Sequence, residues 1–342
     1  MDKNMDVIRR AWGCMLGQIV GDSLGSQVEF KAAADVRALY PAGMEELEGS
    51  QLYRTLPGQP TDDSEMALTL ARTLLRCGGF DADAVMTSYK VWQKTHPVDF
   101  AHAVFRAVHG KVDTKTQSNS ALMRVSPLGI FGARAIPETA LPCDDGAQPD
   151  LAAMMSDSGV QALLRWAMDE AALTNPHPLC RVSSAVYVIA LAYGIRGGGR
   201  RGMYEAALAA ADALARDAEL APAANDVSSC LAKAADSRPA DYQQDMSHVL
   251  VTLQNGFWQL LHAADGGEGV RDSVMQGGDT AANGAVAGAL LGAAHDIDCF
   301  PPSWTDAVLA CVPEAGREGV ASPRPQEYWP ADFMPLAEQL LG

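Results

Sequence analysis

The stretch GCMLGQIVGDSLG, residues 13–25, decides the fold of this chain. It places glycine at positions 13, 17, 21 and 25, in a segment whose pattern predicts a helix from Val7 to Gly25. Glycine inside a helix costs about 1 kcal/mol relative to alanine, so four of them need a structural reason. Residues four apart lie close to one helix face, and that face would be a bare ridge against which another backbone can pack.

A second glycine ridge occurs near the other end of the chain. Gly284, Gly288 and Gly292 lie in a predicted helix from Ala281 to Ala294. We expect the two ridges to pack against each other and to bring the beginning and end of the chain together. A pair of membrane helices is a poor explanation, because Asp22 interrupts the first segment and the second is too short.

The composition favours a helical fold. Of the 342 residues, 48% are apolar but only 6% are aromatic, and the apolar share is mostly Ala, Leu, Val and Met. Further helices are predicted around residues 64–77, 82–95, 100–109, 159–172, 182–194, 204–214 and 247–262. Loops are predicted at 137–149 and 196–202, a partly mobile stretch at 221–241, and a proline-rich surface tail at 313–335. Since we find neither a repeat nor a clear linker, we expect one all-α domain over residues 1–342.

Charge and cysteine content exclude several classes of protein. The formal net charge is −16, and such a surface repels phosphate backbones and anionic membranes, so we expect no nucleic-acid or membrane partner. The seven cysteines form no CxxC pair, which argues against a zinc knuckle or a disulfide framework. The start lacks a basic segment followed by an apolar run, and the longest apolar stretches are about half of what spanning needs. We therefore expect a cytoplasmic protein.

The segment Thr61-Asp62-Asp63-Ser64-Glu65 opens one of the predicted helices. One interpretation is helix capping, with Thr61 or Asp62 as the N-cap and Glu65 reaching back as in a capping box. The other is a cation site, because two adjacent carboxylates behind a threonine offer the oxygen ligands that hard divalent cations prefer. From these residues alone, capping is the commoner explanation.

The segment Gly277-Gly278-Asp279-Thr280 precedes the second glycine-ridged helix. Capping is again the simple interpretation, with Asp279 as the N-cap and the glycines forming the turn. If the two ridges pack, however, Asp279 lies close to the first helix. Two acidic helix starts that converge on one point would repel each other unless a cation lay between them, which favours a metal site.

Taken in order, the motifs resemble the ADP-ribosylglycohydrolase family, which includes the dinitrogenase reductase-activating glycohydrolases and the ADP-ribosylarginine hydrolases. The motifs are Gly17-x-x-x-Gly21-Asp22-x-x-Gly25-x-x-x-Glu29, Thr61-Asp62-Asp63, Asn119-x-x-x-Met123-Arg124-x-x-Pro127-Leu128-Gly129 and Gly277-Gly278-Asp279-Thr280. The resemblance extends from about Trp12 to Trp329, nearly the whole chain. It implies a compact, orthogonal, all-α bundle with two Mg²⁺ or Mn²⁺ ions in a cleft.

The resemblance also implies roles for individual residues. The metal ligands would be Thr61, Asp62, Asp63 and Asp279. The catalytic candidates are Asp99, Glu29 and Asp62, although a solvated surface acid is the commoner explanation for Asp99 or Glu29 taken singly. The substrate-binding candidates are Asn119, Ser120, Met123 and Arg124, which would hold the ADP part of the ligand, together with Gly277, Gly278 and His177.

The largest departure of this chain from the family pattern lies at two neighbouring positions. The family's usual run is Gly-Gly-Asp-Thr-Asp-Thr-Asn, in which the second Asp and second Thr also bind metal, but here Ala281 and Ala282 stand at those positions. One of the two metal sites should therefore be weak or lost. Three explanations are open: the chain works with one ion, it is a natural binding protein like the crystallins of this family, or the two alanines were introduced to inactivate it.

The predicted activity is hydrolysis of ADP-ribose from a modified protein side chain, most simply arginine. Such a cleavage passes through an oxocarbenium-like state, in which cations fix the ribose hydroxyls and orient a water while a carboxylate accepts its proton. The arginine preference rests on the resemblance and on Asp99, which can pair with a guanidinium. Other acceptors and free ADP-ribose derivatives stay open, as does the oligomeric state. The rival hypothesis is a non-catalytic ADP-ribose or nucleotide-binding protein.

Overall fold

The computed structural model describes residues 3–142 and 149–342, and in these residues it contains α-helices and short 3₁₀ turns but no β-strand. The helices are α1 (Lys3–Gly25), α2 (Ala33–Leu39), α3 (Asp62–Cys77), α4 (Ala82–Gln93), α5 (His102–Val108), α6 (Ser126–Gly132), α7 (Leu151–Ser156), α8 (Ser158–Ala172), α9 (Pro178–Ile195), α10 (Gly199–Leu214), α11 (Ala221–Asp236), α12 (Val249–His262), α13 (Gly266–Met275), α14 (Thr280–His295), α15 (Pro302–Ala310) and α16 (Phe333–Leu341). The prediction of an all-α fold is confirmed.

The two glycine ridges pack against each other, as predicted. Helices α1 and α14 run antiparallel, and a Cβ atom placed on Gly17 would lie 2.0 Å from the carbonyl oxygen of Gly288. One placed on Gly21 would lie 2.1 Å from the carbonyl oxygen of Gly284. Only hydrogen fits at these positions, so the ridges fix both the register and the close spacing of the two helices. This packing brings the end of α1 beside the start of α14.

Helix α9 forms much of the core. Nearly all of its residues are buried, and it packs against α6, α8, α10 and α14. It is long and apolar enough to cross a membrane, with a mean hydropathy of 1.5 over 18 residues, which corrects our estimate of the longest apolar stretches. Because 89% of those residues are buried inside the protein, α9 has the environment of a core helix.

Two stretches predicted as loop or mobile contain helices. Residues 221–241 include α11, which buries six residues at helical spacing, among them Val227, Leu231 and Ala234. Pro222 lies in its first turn, where proline favours helix initiation. Helix α10 begins at Gly199, inside the predicted loop 196–202. In the predicted loop 137–149, Glu138–Ala140 forms a 3₁₀ turn, while 143–148 lie outside the described residues.

The C-terminal tail lies over α3 and α4, as the prediction of a surface tail requires, but several of its side chains are buried, and one of these, Arg324, is charged. Arg324 is only 4% exposed. Its guanidinium forms a two-pronged ion pair with Glu65 of α3, at 2.6 and 2.7 Å. It also donates to the carbonyl and hydroxyl oxygens of Thr95, at 2.9 and 2.8 Å. The tail is therefore tied to the beginning of α3 and to the loop that follows α4.

Candidate functional site

A cleft of about 300 Å³ opens where the starts of α3 and α14 converge. Its lining residues are Glu29, Phe30, Asp62, Asp63, Asp99, Phe100, Ala101, His102, Ala103, Asp113, Thr116, Ser118, Asn119, Ser120, Met123, Ser247 and Asp279. Six of these carry carboxylates, and no Lys or Arg of the described chain is among them. The cleft therefore suits a cation, or a ligand bound through one.

Asp22 of α1 organises the start of α3. Its buried carboxylate accepts hydrogen bonds from the backbone N–H of Thr61 at 3.1 Å, from the Thr61 hydroxyl at 2.8 Å and from the backbone N–H of Ser64 at 3.0 Å. Burial raises the pKa of Asp22 to about 6, although the hydrogen bonds from Ser64 and Thr61 act in the opposite direction. Asp22 thus caps α3 from another helix.

The capping-box interpretation of the Thr61–Glu65 segment is wrong. Thr61 is the N-cap by position but makes no side-chain capping bond to α3, because its hydroxyl donates to Asp22. Glu65 does not reach back to the helix start either, since its carboxylate is held by Arg324 and by the indole N–H of Trp92 at 2.7 Å. With capping supplied by Asp22, the two aspartates that open α3 are available for another role.

Three neighbouring carboxylates of the cleft strongly resist ionisation. Burial raises the pKa values of Glu29, Asp62 and Asp63 well above their ordinary range, and repulsion from neighbouring carboxylates adds to the effect. Two of their oxygens, Glu29 Oε2 and Asp63 Oδ1, are buried without a hydrogen-bond partner in the described part of the chain. Buried polar atoms normally have partners, so these oxygens point to a missing cation or ligand.

Asp99 lies at the partly exposed side of the cleft and is held by two donors. The hydroxyl of Tyr53 donates to Asp99 Oδ2 at 2.7 Å, and the backbone N–H of Phe100 donates to Oδ1 at 2.8 Å. Burial and the nearby carboxylates raise the pKa of Tyr53, so it stays a protonated donor. One carboxylate of α3 is tied to the same loop, since Ala101 N–H donates to Asp62 Oδ2 at 2.9 Å.

The Asn119 loop meets Asp279 on the other side of the cleft. Asn119 Nδ2 donates to Asp279 Oδ2 and to the Thr252 hydroxyl, both at 2.9 Å. Burial raises the pKa of Asp279, and hydrogen bonds from Ser247 and Asn119 partly offset this. Ser120, also predicted to bind substrate, lines the cleft and donates to Asn175 at 3.0 Å.

Four predicted substrate-binding residues do not line the cleft. Arg124 is fully buried and forms an ion pair with Glu170 at 2.7 Å, so it supports the Asn119 loop from behind. His177 caps α9 and contacts the Gln117 amide. The other two are the adjacent glycines described next. For these positions the structure indicates a supporting role, because their contacts are to the protein.

Gly277 and Gly278 shape the approach of two cleft segments. Both have positive φ angles, 71° and 79°, which glycine adopts without strain. The carbonyl of Gly278 accepts from Phe30 N–H at 2.8 Å, and its own N–H donates to Lys31 at 2.9 Å. These bonds hold the segment that carries Glu29 beside Asp279.

The residues present fit a hard divalent cation only in part. Carboxylate oxygens of Asp62, Asp63 and Asp279 border one cleft, and the Thr61 hydroxyl lies 3.2 Å from Asp63. Among the described residues, however, no three His, Cys, Asp or Glu side chains are arranged to hold an ion by themselves. Ala281 and Ala282 are buried at the two positions where further oxygen ligands were expected. An ion here would need ligands from water or from substrate hydroxyls.

Sequence reasoning missed several residues of the site. Asp22 was noted as a charge within the first ridge and as part of a family motif, but it was given no role in the site, whereas its carboxylate contacts the start of α3. Tyr53, Ser247, Phe30 and Phe100 carried no recognisable motif. Of these four, only Phe30 and Phe100 could have been identified from the sequence, since each directly follows a carboxylate that was a catalytic candidate.

Fold and cleft together define an all-α protein with an acidic cleft at the point where the starts of α3 and α14 converge. A model of the ADP-ribosylglycohydrolase family matches residues 3–332, and the chain belongs to this family. A solved structure named as an ADP-ribosylglycohydrolase-related protein complex has the same fold, with a TM-score of 0.70, 24% identity and 98% of each chain covered.

Relatives of this chain are hydrolases of ADP-ribosylated proteins. The ADP-ribosyl-[dinitrogen reductase] glycohydrolase of Rhodospirillum rubrum is 27% identical over 305 residues, covering 86% of this chain and 88% of that protein. The ADP-ribosylarginine hydrolase Tri1 of Pseudomonas putida (strain GB-1) is 24% identical over 323 residues, covering 87% and 74%. Family and relatives agree on a glycohydrolase that removes ADP-ribose.

Proposed function

We propose that this chain acts on ADP-ribosylated proteins, with arginine as the acceptor, and that its hydrolysis depends on a divalent cation. The observation that carries the proposal is the convergence of two acidic helix starts, from α3 and α14, with Glu29 and Asp99 in one cleft. The relatives support removal of ADP-ribose, and one of them is named for arginine. The acidic cleft supports a cationic acceptor group.

Asp62, Asp63 and Asp279, with the Thr61 hydroxyl, would hold Mg²⁺ or Mn²⁺. When bound, such an ion would fix the ribose hydroxyls and orient a water for attack at the anomeric carbon. The Asn119 loop fixes Asp279 through the 2.9 Å bond to its carboxylate, and it offers Ser120 to the ligand. Backbone amides and hydroxyls of this loop would take the diphosphate, since no Lys or Arg of the described residues lines the cleft.

Glu29 is the proposed general base. Its pKa is raised by burial and by the surrounding carboxylates, which gives it the affinity for a proton that accepting one from water requires. Its Oε2 atom has no other partner in the described part of the protein. Asp99, held by Tyr53 and by Phe100 N–H, would pair with the guanidinium of the acceptor arginine.

We further propose that Ala281 and Ala282 impair the activity, because two side chains that would ligate the second ion are absent. The test compares this chain with the Ala281→Asp/Ala282→Thr double variant on an arginine-ADP-ribosylated protein, with Mg²⁺ or a chelator. We expect the double variant to release ADP-ribose much faster, and only with Mg²⁺. If the unaltered chain works at a rate that a chelator does not change, the proposal is wrong.

Non-catalytic binding of ADP-ribose is the second candidate, and the two buried alanines favour it. Calorimetry with ADP-ribose and Mg²⁺ separates the candidates when turnover is measured in parallel. Binding without turnover, which Ala281→Asp/Ala282→Thr does not restore, supports a binding protein. Binding with restored turnover supports an impaired hydrolase. If neither ligand binds, both assignments of the cleft fail.

A further inference from the structure

Three phenylalanines are exposed beside the cleft. Phe30, Phe100 and Phe105 are 51%, 45% and 37% exposed, and no other phenylalanine of the described residues is exposed to this degree. The rings of Phe100 and Phe105 stack with centroids 5.3 Å apart, and the Phe105 ring lies 4.5 Å from that of His109. Phe30 and Phe100 line the cleft itself. We call these three phenylalanines the aromatic rim.

Local structure holds the rim in the solvent. Helix α5 buries Ala103, Val104, Ala107 and Val108 and leaves Phe105 on its outer face. Phe30 has a φ angle of 63°, a left-handed conformation that is strained for a bulky residue. Its N–H donates to Gly278, which keeps it there. Exposed apolar rings that lie together are unfavourable in water, and such patches are typical of binding surfaces.

The size of the cleft decides what the rim can contact. A volume of about 300 Å³ is at the lower end of small-ligand pockets. The cleft can therefore hold part of a sugar nucleotide, but it has no room for a polypeptide in addition. The protein that carries an ADP-ribosylated side chain must therefore lie outside, against the mouth. There it meets Phe30 and Phe100, each of which directly follows a cleft carboxylate in the sequence.

We propose that the aromatic rim docks the polypeptide around the modified side chain of the ADP-ribosylated substrate. The inference rests on the function proposed above. Phe100 lies beside Asp99, so a guanidinium paired with that carboxylate could also lie against an aromatic face. Phe105 extends the surface away from the cleft, where only neighbouring residues of the substrate reach it. The rim thus gives affinity for the protein that free ADP-ribose lacks.

The test measures binding, so that it does not depend on the turnover of this chain. Affinities for free ADP-ribose and for an arginine-ADP-ribosylated peptide are measured by calorimetry with Mg²⁺, for the unaltered chain and for Phe105→Ala. We expect Phe105→Ala to bind the peptide about threefold to tenfold more weakly and ADP-ribose equally well. Phe105→Tyr should retain peptide affinity because it keeps the ring. Leu309→Ala, a similarly exposed apolar residue on α15, is the control and should bind both normally.

Several outcomes would overturn the docking surface. If Phe105→Ala loses affinity for both ligands equally, Phe105 contacts the ADP-ribose part. If it loses affinity for neither ligand, the aromatic rim does not contribute to substrate binding. A dimer that Phe105→Ala dissociates in sedimentation would assign the rim to a second copy of the chain. If the unaltered chain binds neither ligand, the proposed function itself fails. If instead the unaltered chain binds both ligands and Phe105→Ala binds them equally well, only the docking surface is contradicted.

Discussion

Asp22 shows how a single carboxylate can organise a site without facing the ligand. It accepts three hydrogen bonds from Thr61 and Ser64 at the start of α3. In Asp22→Ala these buried donors lose their acceptor, which costs about 1–3 kcal/mol for a typical unsatisfied group. We expect the free energy of unfolding in urea to fall by at least this amount, and Mg²⁺ binding by calorimetry to weaken.

The control for Asp22 is Asp113, an aspartate that lines the cleft. Asp113→Ala removes a partly exposed carboxylate that accepts a hydrogen bond from the backbone N–H of Lys115 at 3.0 Å. A change within about 0.5 kcal/mol is expected there. If Asp22→Ala and Asp113→Ala unfold at the same urea concentration, Asp22 does not organise α3.

At the scale of elements, the closest packing is that of α1 on α14. A Cβ atom on Gly288 would lie 2.1 Å from the carbonyl oxygen of Gly17, so Gly288→Ala forces the two backbones apart. Overpacking against backbone should cost about 3 kcal/mol, the upper end of the usual range. It should also shift Asp279 relative to α3 and weaken Mg²⁺ binding. Gly79→Ala is the control, because its nearest contact at 3.6 Å is ordinary; equal denaturation midpoints would contradict the prediction.

The tail contains an ion pair that the sequence did not reveal. Arg324→Met would leave the buried Glu65 without its charged partner, which typically costs about 3–5 kcal/mol. Arg72→Met removes an exposed pair with Asp332 from the same tail and should cost about 1 kcal/mol or less. The double variant Glu65→Leu/Arg324→Met should regain most of the loss, because neither charge is then buried. Denaturation curves check all three, and an Arg324→Met effect no larger than that of Arg72→Met would contradict the burial argument.

These elements also show what the sequence could predict. The ridge of Gly17 and Gly21 was readable because glycine is costly in a helix and needs a partner of the same kind, which Gly284 and Gly288 supply. The pairing of Arg324 with Glu65 was not readable, because the two are 259 residues apart. In the sequence Arg324 resembles an ordinary surface charge, and Glu65 resembles a capping-box residue. The role of Asp22 as the cap of α3 was not readable either. Local patterns therefore predicted the helices and the acidic starts of α3 and α14, whereas the long-range polar contacts could be identified only from the structure.

At the scale of the whole molecule, packing and charge work against each other. The α1–α14 contact brings the two acidic helix starts together, and the fold buries carboxylates whose repulsion it must tolerate. Arg124 and Arg324 neutralise Glu170 and Glu65 nearby, but neither lines the cleft. Part of the stability of the protein should therefore depend on what neutralises the cleft, either protons or a cation.

The pH dependence of stability tests this dependence directly. The pKa of Asp22 is raised to about 6, and those of Glu29, Asp62 and Asp63 are raised well above their ordinary range. A carboxyl whose pKa is higher in the folded state binds its proton more tightly when folded. Its contribution to stability is therefore lost as the pH rises from the ordinary carboxyl pKa of about 4 through the folded-state value. With a chelator present, these groups should lower the melting temperature as the pH rises across this interval.

Mg²⁺ should reverse that loss, because it binds the deprotonated carboxylates and competes with protons. The rise in melting temperature caused by Mg²⁺ should thus be small near about pH 5 and larger near about pH 7.5, since tighter binding to the folded state adds more stability. Taking the difference between Mg²⁺ and chelator at each pH cancels the titration of groups elsewhere. Asp63→Asn removes one proposed ligand and should flatten the difference. A Mg²⁺ effect that is the same at both pH values would show that the buried carboxylates of the cleft do not bind the cation.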